Sequence, residues 1–67
     1  MQIQLNGQAY HLDQDTLSVQ TLLEHLKLTD KRVAVEVNEH VIPRSQHPKT
    51  QLQTGDKVEI VQAIGGG

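Results

Sequence analysis

The chain has 67 residues, with six Lys and Arg against eight Asp and Glu, a formal charge of −2 and no cysteine. Composition therefore excludes disulfides and Cys-ligated zinc, and a chain this short buries only about 60% of its unfolded surface, which makes one small domain with a thin core. Scattered cations and a single aromatic residue, Tyr10, give neither the basic stripe nor the stacking platform that nucleic acids require.

No apolar run approaches membrane-spanning length, and the opening MQIQLNGQ lacks the charged start and apolar stretch of a signal peptide. The expectation is a soluble cytoplasmic domain without nucleic-acid or membrane partners. The four histidines, His11, His25, His40 and His47, show no pair at tight ligand spacing. They read as solvated surface residues, and no metal site is expected.

In IQLNGQAYHL, Ile3 and Leu5 alternate with Gln2, Gln4 and Asn6, the period of a half-buried strand. Asn6-Gly7 is a strong hairpin signal because both residues tolerate the positive φ of a type I′ turn, and Tyr10 and Leu12 continue the return strand. The period then changes. Val19, Leu22, Leu23 and Leu26 form one apolar helix stripe, which predicts a helix over residues 18–27. Ser18 is placed to cap it, and Leu17 to pack on Leu22 as a hydrophobic staple.

RVAVEVN returns to alternation, with Val33, Val35 and Val37 on one face and Ala34 and Glu36 on the other. Pro43 and Pro48 exclude a central strand or long helix across EHVIPRSQHPKTQ. That stretch reads as a winding surface connection with a brief strand near Val41 and Ile42. A turn at Thr54-Gly55-Asp56 leads to a final strand over residues 57–63. If Val58 and Ile60 point at the helix, then Glu59, Val61 and Ala63 face away from it. An opening hairpin, a helix and further strands define an α+β domain with the helix over one sheet face.

No catalytic set emerges from these elements. Ser18 is better explained as a helix cap than as a nucleophile, and Asp13 and Asp15 as a solvated turn. TGDK lacks both the upstream glycine and the following helix of a phosphate loop.

What remains is the closing run of Gly65, Gly66 and Gly67. Without Cβ atoms a narrow channel can admit it, and a nucleophile can approach its last carbonyl unobstructed. Three extended residues reach roughly 10 Å beyond the strand before them. Two readings follow: a carboxyl terminus handled in another protein's active site, or a frayed end without a role.

Taken in order, LNG, VAVEVN after a leucine-rich helix, VIPR, LQTGDKVEIV and the closing IGGG resemble the ThiS family of thiamin-biosynthesis sulfur carriers. The resemblance covers nearly the whole chain. It implies a ubiquitin-like β-grasp fold, with one main helix across a mixed sheet of four to five strands, a domain over residues 1–64 and a flexible glycine tail over residues 65–67.

It also implies a non-enzymatic carrier with no bound cofactor. An E1-like adenylating enzyme of the ThiF type would use ATP and Mg²⁺ to activate the terminal carboxylate. A persulfide supplied through a cysteine desulfurase would turn it into a thiocarboxylate, and a thiazole synthase of the ThiG type would take the sulfur into the thiazole ring. Gly67 would then be the 1-thioglycine site, with Gly65 and Gly66 as the flexible approach. If the protein carries sulfur, the lack of cysteine excludes a persulfide of its own.

Ala34, Val61, Ala63 and Ile64, flanked by Glu36 and Glu59, form a possible docking face; a satellite contact within the fold is the alternative. A monomer is expected. Related readings are a small subunit of molybdopterin synthase, although VQAIGGG lacks an aromatic, proline-rich approach to the glycines, and a protein-conjugating modifier. A reading from another class is a β-grasp interaction module with an inert tail.

Overall fold

Asn6 (φ 51°) and Gly7 (φ 82°) both adopt positive φ, as a type I′ turn requires, and they join β1 (Gln2–Leu5) to β2 (Gln8–His11). The computed structural model describes residues 1–29 and 31–62. Ile3 stands opposite Tyr10, so the apolar members of the hairpin share one face. The hairpin is closed beyond its strands: Leu12 N–H donates to Met1 O at 2.8 Å, and the Met1 ammonium donates to Leu12 O at 2.6 Å.

The helix α1 spans Val19–His25, with Ser18 as its N-cap. The first N–H groups of a helix have no partner within it, and here those of Val19, Gln20 and Thr21 are met from outside. Ser18 Oγ accepts from Thr21 N–H at 3.0 Å, Thr50 O accepts from Val19 N–H at 2.9 Å, and His47 O accepts from Gln20 N–H at 3.0 Å.

The far end stops shorter than the predicted 18–27. Lys27 takes a left-handed conformation, φ 60°. Lys27 N–H donates to Glu24 O at 3.1 Å and Leu28 N–H to Leu23 O at 2.9 Å, the paired bonds of a Schellman stop.

A five-stranded sheet, in the order β2-β1-β7-β4-β5, carries the helix on one face. Its remaining strands are β4 (Val33–Val37), β5 (His40–Ile42) and β7 (Lys57–Gln62). β7 runs parallel to β1 and antiparallel to β4. The alternation expected of β4 and β7 is present: Val35, Val37, Val58 and Ile60 are buried with Ile3, Val19, Leu22 and Leu23 in one core. Leu17 and Leu52 join it from a second, two-stranded sheet of β3 (Leu17–Ser18) and β6 (Gln51–Leu52).

The stretch around the prolines is more ordered than its sequence suggests. Asn38 (φ 51°) and Glu39 (φ 71°) make a second turn of positive φ that folds β5 back on β4. After Pro43 a short 3-10 turn covers Arg44–Gln46, and β6 then pairs with the residues that open the helix.

Reading all four histidines as solvated is corrected for His47, which is 3% exposed. Its imidazole lies under the crossover with Nε2 at 3.1 Å from Ile42 O. A carbonyl only accepts, so the proton sits on Nε2. One bond to a local carbonyl offsets the loss of water, which makes this polar ring a filler of the layer between crossover and helix.

Candidate functional site

The last described strand, β7, is held on both sides. Its register with β4 runs from Val33 opposite Gln62 to Val37 opposite Val58. On its other side Gln4 and Leu5 of β1 stand opposite Lys57 and Val58.

The ladder with β1 is prolonged by a side chain. Asn6 Oδ1 accepts from Ile60 N–H at 2.8 Å, and Asn6 Nδ2 donates to Ile60 O at 3.2 Å. Asn38 does a similar service at the start of β7: its Oδ1 accepts from Lys57 N–H at 2.9 Å, and its Nδ2 donates to Asp56 Oδ1 at 3.0 Å. Asp56 in turn closes its own turn, accepting from Gln53 N–H at 2.8 Å, with Gly55 at φ 92°. The strand that leads to the glycine tail is thus fixed at its beginning, middle and end.

The tail residues Gly65, Gly66 and Gly67, the docking candidates Ala63 and Ile64, and the proposed boundary at residue 64 lie outside the described residues. Of the proposed docking face, Ala34 and Val61 are brought together. They stand opposite each other across β4 and β7, on the face away from α1, and Val61 is 65% exposed. The next pair along is Glu36 opposite Glu59, two carboxylates at a position where like charges repel.

Val41 of β5 stands opposite Glu36 and is 69% exposed. It extends the face to the sheet edge, a residue the sequence reading did not assign to it. The signal was present in the alternation of Val41 with the half-buried Ile42, but it needed the β4–β5 hairpin to become visible.

Other polar groups are occupied structurally or lie open to water. Ser18 Oγ is committed to the helix cap. Asp13 lies 3.7 Å from His11, and its side chain is fully exposed. No group of three or more His, Asp or Glu side chains among the described residues is placed to hold a metal. No helix of the described residues is long and apolar enough to cross a membrane.

A five-stranded mixed sheet with a parallel β1–β7 pair at its centre and one helix across it defines a ubiquitin-like β-grasp domain. Comparison with known proteins narrows the class. The ThiS family profile matches residues 3–67. The crystal structure of the thiamine biosynthesis protein ThiS from Geobacter metallireducens superposes with a TM-score of 0.88 at 35% identity, covering 100% of both chains. The sulfur carrier protein ThiS of Bacillus subtilis is 37% identical over 65 residues, 97% of this chain and 98% of that protein. A thiazole synthase of Paramagnetospirillum magneticum is 36% identical over 67 residues, all of this chain but 20% of that protein. The chain belongs to the ThiS family of thiamine-biosynthesis sulfur carriers.

Proposed function

We propose that this protein carries sulfur on its terminal carboxylate, as a thiocarboxylate at Gly67, and delivers it to the thiazole ring of thiamin. The observation that carries the reading is a family match running to Gly67 on a domain whose tail-bearing strand is held from both sides. A free carboxylate is a poor electrophile, since its charge is delocalised and its leaving group would be oxide.

An E1-like adenylating enzyme of the ThiF type supplies the remedy with ATP and Mg²⁺. The carboxylate oxygen displaces pyrophosphate from the α-phosphorus, and the resulting acyl-adenylate carries AMP as its leaving group. A persulfide, derived through a cysteine desulfurase, attacks the carbonyl carbon and expels AMP. A second thiol then cleaves the S–S bond of the acyl disulfide, forming a protein disulfide and leaving the thiocarboxylate.

Thiazole synthase is the consumer. The carrier contributes no catalytic residue and binds no cofactor of its own. Gly65 and Gly66 thread the narrow approach to each partner's active site, and the face around Ala34, Val61, Ala63 and Ile64 supports docking. It acts as a monomer in the cytoplasm.

Intact mass spectrometry tests this directly. After incubation with the adenylating enzyme, Mg²⁺, ATP and a sulfur donor, the chain gains the mass of one oxygen replaced by sulfur, located on Gly67. An unchanged mass while the enzyme turns over its other substrates defeats the reading.

A further inference from the structure

Near the place where β7 ends, one side of α1 (Gln20 and Leu23), the segment that follows the helix, the start of β4 and the 3-10 turn border a groove of about 480 Å³. Lys31, Arg32 and Arg44 line it, half of the six Lys and Arg in a chain with a net charge of −2. No Asp or Glu is among the described residues of its wall. Leu23, Leu28 and Val33 supply apolar surface between the cations. Lys31 and Arg44 make no ion pair among the described residues. Arg32 is engaged in a contact of its own, so the charge offered by the groove rests on Lys31 and Arg44.

The groove's position gives it a use. Val33 is opposite Gln62, so the groove lies at the sheet end from which residues 63–67 continue. Ala34 belongs both to its wall and to the outer face with Val61. Five extended residues reach about 17 Å. When the last of them enters an active site, the end of the sheet at Val33 and Gln62 is the part of the body brought nearest the entrance.

We infer that this groove grips an acidic surface segment of thiazole synthase at the rim of its active site, an assignment that rests on the sulfur-carrier reading. Three observations select this occupant. The cations call for carboxylates. The apolar stretches between them fit side chains of a folded partner better than a small hydrated anion. His47, the buried polar residue of the wall, has Nε2 committed to Ile42 O and does not close a cage around a single ion. Thiazole synthase is the partner because the Paramagnetospirillum protein of that name includes a segment matching this entire chain, which places carrier and synthase bodies on one polypeptide.

The test pairs two charge reversals of equal size in the full-length chain: Lys31→Glu with Arg44→Glu in the groove, and Lys27→Glu with Lys49→Glu outside it. Binding of each unloaded chain to thiazole synthase from the same organism is measured by fluorescence anisotropy over a salt series. The groove variant should bind about tenfold more weakly at low ionic strength and lose most of the salt dependence of the wild type, while the outside variant stays within about twofold.

Circular dichroism and sulfur loading by the adenylating enzyme report folding. Lys31→Gln with Arg44→Gln repeats the measurement if the reversal unfolds the chain. Equal binding by groove and outside variants overturns the proposal. So does competition by sub-millimolar inorganic phosphate, which would make the groove a small-anion site. If the wild type accepts no sulfur, the carrier reading fails separately, and synthase binding still decides the groove.

Discussion

At Asn6 one side chain does the work of a strand residue. Its amide stands in for a peptide unit beside Ile60, accepting at 2.8 Å and donating at 3.2 Å, while its own backbone sits at φ 51°. Replacing Asn6 with Ala removes two hydrogen bonds and puts a poor residue into the turn, so unfolding in urea should show a loss of about 2 kcal/mol; Asn6→Asp, which keeps the acceptor, should fall between. Lys27 is the opposite case. At φ 60° it occupies the helix-stop position where glycine is unstrained, and Lys27→Gly should raise stability by about 1 kcal/mol in the same assay. The turn role of Asn6 and the cap role of Ser18 were legible in the sequence because each depends on near neighbours. The pairing of Asn6 with Ile60 and the burial of His47 were not, since both depend on segments that meet only after folding.

Among the elements, periodicity revealed those long enough to have a period. β1, β2, α1, β4 and β7 all show theirs. β3 and β6 hold two residues each, too few for any alternation, and they exist because the crossover must return to satisfy the first N–H groups of the helix. The prolines do exclude a long element, and only β5, the 3-10 turn and β6 occupy the stretch around them. Pro43 and Pro48 did not disclose that Asn38 and Glu39 would start a hairpin, because glutamate at positive φ is an uncommon turn former.

The outer face of β4 and β7 raises its own question. Glu36 opposite Glu59 opposes pairing, and Glu59→Gln should raise the urea midpoint by an amount equivalent to about 0.5 kcal/mol. Val61→Glu, on the same face but 65% exposed, should leave that midpoint nearly unchanged while weakening capture by the adenylating enzyme. Unaltered capture would remove Val61 from the docking face.

For the whole molecule, the sequence disclosed the class of fold and the family, because the order of hairpin, leucine stripe, valine strand and glycine tail is itself specific. Beyond the opening hairpin it did not disclose which strands are neighbours, and the proposed function draws on that arrangement. Deleting Gly66 and Gly67 should leave the urea midpoint where it is and abolish sulfur loading, separating the body from its tail. The placement of β7 between β1 and β4 has a mechanical consequence. Tension applied at Gln62 along the strand axis loads the bonds to both neighbours together in shear instead of parting them one after another. A partner can pull the lead taut in its active site, and the body it is anchored to will hold.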